Sequence, residues 1–286
     1  MRTALQKLGL QLLLLAGLSL LGGLLGATLV RFAPGYGVDE RELDPRLSEA
    51  SINAIRNANR LNSSLLSYYG NYLAGAVRGD LGTSQWLDRP VSSLLRERFP
   101  VTARSVLFGI ALAWALALAV SLASLLFWRS LFDVSGTILS GVLIALPAAV
   151  VAMFAVYLRA PAYAAVAAVT FPKIFRYLRN LLEHAYAQPY ILAARARGIA
   201  STKILVSHVL PLASPALLAL LGISLSIGFG AAIPIEALCD SPGLGQLAWQ
   251  AALNRDLPLI VNLTLLITIF TVALNLLANV RSEKKA

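Results

Sequence analysis

The residues in this chain able to do covalent chemistry are few and scattered. His184 and His208 stand near the two ends of one polar stretch with no cysteine or carboxylate cluster around them, and Cys239 is the sole cysteine. No serine has a histidine and a carboxylate in a nucleophile's arrangement. The phosphate-cradling pattern G-x-x-x-x-G-K-[ST] is absent, because no Gly-Lys pair occurs anywhere in the sequence. Nothing here points to catalysis, a metal site or nucleotide hydrolysis by this chain. The polar groups that stand out instead are Glu236, Asp240 and Asp256 around one loop, and Arg195, Arg197 and Lys203 in another.

The elements that hold these residues are apolar. Of 286 residues, 58% are hydrophobic and 13% charged, with a mean hydropathy of +0.72, a charged fraction roughly half that of a globular protein. No Asp, Glu, Lys or Arg lies between Lys7 and Arg31, nor in the runs Ser105 to Trp128, Val134 to Leu158, Val209 to Ile235 and Leu257 to Val280. Each is long enough to cross about 30 Å of hydrocarbon at roughly 1.5 Å per residue. A sixth span is expected from Ala160 to about Leu178, where Lys173, Arg176 and Arg179 follow at helical spacing and can snorkel to an interface. A re-entrant or surface helix is the other reading of that segment. The first segment lacks a small-x-small cleavage site after a short apolar core, so it reads as a retained helix.

With the N-terminus in the cytoplasm, Arg2, Lys7, Arg129, the group from Lys173 to Lys203, and Arg281, Lys284 and Lys285 all become cytoplasmic, as the positive-inside rule requires. The net charge of +10 therefore reads as topology, not as a nucleic-acid surface. The expected organisation is a first transmembrane helix at 8–31, an extracytoplasmic segment at 32–104, and a five-helix core at 105–280. That core includes a cytoplasmic loop at 183–211 and an outer loop at 236–256. Leu47 to Leu73 carries apolar residues near helical spacing, so one or two amphipathic helices are expected there. Pro34-Gly35 should stop the first span, and Pro90 and Pro100 should punctuate the approach to the second.

In the loop 183–211, Pro189 suits a first helical turn, Ala193, Ala194 and Ala196 favour helix, and Gly198 can reverse the chain. A second short helix is expected from about Ser201 to Val209, ahead of Pro211. The spacing of Ala193-Ala194, Gly198 and Leu210-Pro211 resembles the loop by which permease subunits of binding-protein-dependent ABC importers grip their ATPases. Two more segments resemble one branch, the dipeptide, oligopeptide and nickel permeases, in its first permease type. One is Gly79-Asp80-Leu81-Gly82-Thr83-Ser84 with Pro90-Val91, Pro100 and Thr102. The other is Glu236, Pro242-Gly243-Leu244-Gly245, Ala251, Arg255-Asp256 and Pro258. The chain departs from that pattern in three places. Ile191 or Leu192 replaces an acidic opening residue, the link around Arg159 to Pro161 is short, and the ending Asn279 to Lys285 lacks an Asp-Pro-Arg motif.

The resemblance implies an all-α integral membrane protein with six helices of the type I importer permease fold and an extracytoplasmic helical insertion after the first span. It implies no catalysis and no cofactor on this chain, with ATP and Mg on partner subunits. It places Ala193, Ala194, Arg195, Gly198 and Ile199 at the ATPase contact. Glu236, Pro242, Gly243, Gly245, Arg255 and Asp256 form the outer-loop signature, and Gly79, Asp80, Gly82, Thr83 and Ser84 the extracytoplasmic one. The implied partners are a second permease chain, two ATPase subunits, an extracytoplasmic substrate-binding protein and the bilayer of a bacterial or archaeal cell membrane. Peptides are the first cargo implied; nickel and sugars use similar permeases. Thr137, Ser140, Thr264, Thr268, Thr271 and Asn275 can present polar atoms to a pathway, while Gly222, Gly228, Gly230, Ser224 and Ser226 can allow close helix packing. A self-contained secondary transporter or channel, or a membrane scaffold, are the competing classes. The first predicts an internal repeat or intramembrane charges, and the sequence shows neither in its five clear spans.

Overall fold

The computed structural model describes residues 65–126 and 131–283, together with Gly9, Leu13, Gly17, Leu18, residues 20–25, Thr28 and Ser48. Apart from Ser48, the expected amphipathic stretch before Leu65 lies outside the described residues, as do Pro34-Gly35 and most of the first span. The regular elements of the described chain are helices: α1 is Leu65–Val77, α2 Val91–Leu126, α3 Leu131–Ala145, α4 Ala148–Tyr157 and α5 Ala162–Tyr186. α6 is Pro189–Ala196 and α7 Ser201–Ile204; a π-helical turn, Leu205–Val209, leads into α8, Leu210–Leu238, followed by α9, Leu244–Leu253, and α10, Leu257–Glu283. Among the described residues, three helices are long and apolar enough to cross a bilayer, and a bent pair adds a fourth if counted as one span.

Two spans differ from the sequence expectation. α2 begins at Val91, not Ser105, and Pro100 lies inside it. Its 36 residues amount to about 54 Å of helix, well beyond a hydrocarbon core. Val91 and Leu94 are fully buried, so packing of the first turns outweighs the one backbone bond that an internal proline removes. The expected continuous third span is broken. Its two parts, Val134–Ala145 and Ala148–Tyr157, meet at 106°, and Pro147 sits at the break with extended backbone (φ −59°, ψ 146°). A proline biases its predecessor away from the α region and cannot donate to the preceding turn, which accounts for the break there.

The chain divides into two compact units, Met1–Arg98 with Leu247–Ile269, and Phe99–Gln246 with Phe270–Ala286. In the first, Tyr69, Leu257 and Val261 form a buried cluster joined by Leu24, Tyr72, Leu73 and Leu265. In the second, α5 is the central element, packing against α3, α4 and α8. Its Phe171, Ile174, Phe175, Leu178 and Leu182 form the core with Ala113 and Ala117 of α2, and with Ile191, Ile204 and Leu220. Of the glycines expected to allow close packing in α8, Gly228 does so: a Cβ there would lie 2.8 Å from Ile110, whereas one on Gly230 would meet nothing within 4 Å.

The loop between α5 and α8 folds from its own sequence. Pro189 takes the first helical position of α6, where its missing N–H costs nothing. Gly198 then stops the helix at φ +75°. The N–H of Ile199 reaches the carbonyl of Ala194 (3.2 Å) and that of Gly198 reaches Arg195 (2.9 Å), the paired bonds of a Schellman ending. The expected second helix is α for one turn only. Leu210 then donates to the Leu205 carbonyl, five residues back, immediately ahead of Pro211, which has no N–H to continue the α ladder.

Candidate functional site

Two buried carboxylates organise the residues that the sequence singles out, one in each unit. In the first unit, Asp256 is 1% exposed. Its Oδ2 accepts the Ser84 hydroxyl and the Trp86 N–H (3.2 Å), and its Oδ1 accepts the Leu259 N–H (3.1 Å), which makes it the N-cap of α10. Ser84 Oγ in turn accepts the Leu87 N–H (3.1 Å). The Gly79–Ser84 loop is itself tightly wound. Asp80 accepts the Gly82 N–H (2.9 Å), Val91 N–H donates to the Gly82 carbonyl (3.0 Å), and Thr83 bridges Pro90. Gly79 and Gly82 both sit at positive φ, where only glycine rests without strain.

A second contact backs this clasp. Asn262 donates to the Leu81 carbonyl (2.9 Å) and accepts the Tyr72 hydroxyl (2.7 Å). Burial, with Tyr69 beside it, pushes the Tyr72 phenol up to about 12, so it remains a donor across the physiological range. Arg255 adopts a left-handed backbone (φ 53°) and ends α9, so Arg255-Asp256 is a helix stop followed at once by a helix start. The Gly79–Ser84 segment and Arg255-Asp256 are thus one joint, made by residues 172 positions apart.

In the second unit, Glu236 is fully buried near the end of α8. Its Oε2 accepts the Thr102 hydroxyl (2.9 Å) and the Gly245 N–H (2.8 Å), and Thr102 Oγ1 accepts the Leu244 N–H (2.8 Å). Its Oε1 has no partner among the described residues. Pro242-Gly243-Leu244-Gly245 wraps this group closely. A Cβ on Gly243 would overlap the Glu236 carboxylate, and one on Gly245 would overlap the Ile233 backbone. Asp240, at φ 50°, accepts the Gln246 side-chain amide.

The 189–199 unit of the same half presents a divided face. Ala194 is buried and Ile199 packs on the core, while Ala193, Arg195 and Gly198 are exposed. The Arg195 guanidinium lies over the Tyr186 ring, 5.2 Å from its centre. Tyr190, which the sequence reading did not single out, and Leu192, named there only as a departure from the family's acidic opening residue, are the large apolar side chains left exposed on α6. Of the polar pathway candidates, Thr264 and Thr268 turn their hydroxyls back to their own helix carbonyls. Ser140 and Thr137 accept Arg176 and Arg179 (both 3.2 Å). The side chain of Asn275 lies outside the described residues. None of these arrangements positions a nucleophile, and among the described residues no group of His, Cys, Asp and Glu is placed to hold a metal.

The chain belongs to the family described as binding-protein-dependent transport system inner membrane component, whose profile matches residues 109–281. It is therefore a non-catalytic, multi-span membrane component of a multi-subunit importer. It is similar to a Brucella suis biovar 1 protein with a provisional peptide-permease name (28% identity, covering 93% of each chain). It is also similar to the oligopeptide transport system permease protein AppB of Bacillus subtilis (26%, covering 90% of this chain and 92% of that one). A third relative is the oligopeptide transport system permease protein OppB of Escherichia coli K12 (29%, covering 84% of each).

Replacing Asp256 by alanine strands the Trp86 and Leu259 N–H groups and the Ser84 hydroxyl. It should cost about 2–4 kcal/mol, with Asp256→Asn costing less because an amide oxygen still caps α10. Thermal unfolding in detergent measures both. Gly243→Ala should destabilise by about 1–3 kcal/mol because the methyl has nowhere to go. Gly79→Ala, with open space around it, should lose only about 1 kcal/mol to its left-handed backbone.

Proposed function

We propose that this chain is one of two permease subunits of an ATP-driven peptide importer, crossing the membrane six times with both termini in the cytoplasm. The 8–31 helix, the 32–104 extracytoplasmic segment and the 105–280 core are its parts. The 183–211 loop is the cytoplasmic element that seats in an ATPase subunit, and the 236–256 loop lies at the outer mouth. A second, different permease chain, two ATPase subunits and an extracytoplasmic substrate-binding protein complete the complex. ATP and Mg bind on the ATPases and no cofactor binds here.

The cargo assignment rests on likeness to relatives named as peptide and oligopeptide permeases. The observation that carries the coupling role is the 189–199 unit itself. Ile191 and Ala194 anchor α6 to the core, together with Ile204 beyond it, while Tyr190 and Leu192 stand outward. A short helix held on one side by core packing, with an apolar edge on the other, can move as a rigid lever when a partner groove closes on it. In this reading Ala193, Gly198 and Arg195 border the contact, and Ala194 and Ile199 transmit its motion into α5 and α8. The clasps at Asp256 and Glu236 fix the outer loops that a binding protein would meet.

A charge at Leu192 should break the ATPase contact without disturbing the fold. Affinity purification of tagged chain from native membranes should retain a second permease and ATPase subunits for the natural sequence, and should lose the ATPases for Leu192→Glu. Recovery of the natural chain alone, repeated in nanodiscs, would contradict the importer reading.

A further inference from the structure

We propose that Lys173, Arg176, Tyr177 and Asn180 of α5, with the adjoining face of α3, hold the phosphate of an anionic phospholipid at the membrane surface from which the 183–211 loop emerges. Such a site goes beyond the importer reading and asks only that the chain lie in a membrane, whichever side the loop faces. The four residues stand at i, i+3, i+4 and i+7, so they share one face of the helix, and all are exposed. On the opposite face Phe171, Ile174, Phe175, Leu178 and Leu182 are buried.

The chemistry of the chain changes at this level. No charged residue lies in 160–172, and Lys173, Arg176, Arg179 and Glu183 follow. α3 mirrors the change. It runs antiparallel to α5, since Thr137 and Ser140 meet Arg179 and Arg176 in that order. Arg129 and Asp133 come before residue 134, and no charge lies in 134–158. The α3–α5 pair therefore has a charged end and an apolar end, and the cluster stands at their junction, as groups that meet lipid headgroups do.

The charge there is uncompensated. Arg179 is paired with Glu183 at 3.1 Å, whereas among the described residues neither Lys173 nor Arg176 has a carboxylate within ion-pair distance. Arg176 is also aimed. Its Nε donates to the buried Ser140 Oγ at 3.2 Å, and its Nη2 lies 3.5 Å from where a Cβ of Gly141 would stand. With Nε engaged, the two Nη groups remain to fork onto phosphate oxygens. Lys173 adds a second cation, and Tyr177 and Asn180 add neutral donors. The side of α3 that the guanidinium reaches is apolar. Val134, Thr137, Ile138 and Gly141 share it at the same spacing, and Val134 and Ile138 are exposed. A soluble anion would match the cations alone, while a phospholipid matches the cations with its phosphate and the α3 face with its chains.

The test places the full chain with its co-purified partners in phosphatidylcholine nanodiscs, in a Cys239→Ser background with a bimane fluorophore on the thiol of Ile138→Cys. Doxyl-labelled phosphatidylglycerol, as a minor lipid, should quench the bimane more strongly than doxyl-labelled phosphatidylcholine at the same mole fraction. Lys173→Gln and Arg176→Gln should each cut that preference about fivefold, the worth of one cation beside an anionic headgroup. Lys173→Arg combined with Arg176→Lys keeps both charges and should retain it. Equal quenching by the two lipids overturns the proposal, as does a preference unmoved by removing the charges or lost when they are kept. Absence of quenching by either lipid, the result if a partner subunit covers this face, overturns it too. Soluble glycerophosphate should leave the preference intact; displacement by it would assign the site to free phosphate and overturn the lipid assignment.

Discussion

A carboxylate taken out of water must be given donors by the chain around it, because leaving it bare costs more than most single contacts return. Asp256 and Glu236 impose that constraint here, and the irregular parts of the fold are arranged to meet it. Asp256 fixes the start of α10 and draws in Ser84 and Trp86. Glu236 fixes the turn after α8 by drawing in Thr102 and the Gly245 amide. Each interaction ties a loop to a helix terminus, the place where orphan backbone groups would otherwise need water.

The helix endings follow the same economy. Gly79, Arg159, Gly198, Asp240 and Arg255 all take left-handed backbone, and each is followed by an N–H reaching back five residues to a helix carbonyl. Three of the five are not glycine, so those turns carry conformational strain that neighbouring structure holds in place. At Arg255 the strain allows α9 to stop and α10 to start without an intervening loop. At Arg159 it allows α4 to return into α5 through a link short enough to leave no domain between them.

How much of this was readable from the residues varied with the range of the interaction. The helix at Pro189 and the reversal at Gly198 follow from local chemistry, and both form as expected. The second span reads as starting at Ser105 because the charge-free run opens after Arg104, with Pro90 and Pro100 as punctuation ahead of it. Val91 and Leu94 are nevertheless buried, and the helix runs on through the second proline. The third span read as one helix because it lacks charge, and hydropathy carries no information about the 106° bend at Pro147. Gly79 to Ser84 and Arg255-Asp256 were visible as patterns, but that they clasp one another was not. Their pairing spans 172 residues and no local periodicity encodes it. Tyr72 with Asn262, and Arg176 with Ser140, were invisible for the same reason. Ala194 and Ile199 turn inward, and Tyr190 and Leu192 outward, a division of faces that eight residues of helix are too few to reveal.

The central claim is that this chain forms half of a pathway driven by separate ATPases. Its most direct test is ATP turnover by the purified complex in proteoliposomes, with and without binding protein loaded with peptide, using assemblies that contain or omit this chain. The account predicts that loaded binding protein stimulates hydrolysis and drives peptide accumulation only when the chain is present. Peptide movement by the chain alone, or turnover indifferent to its presence, would contradict it.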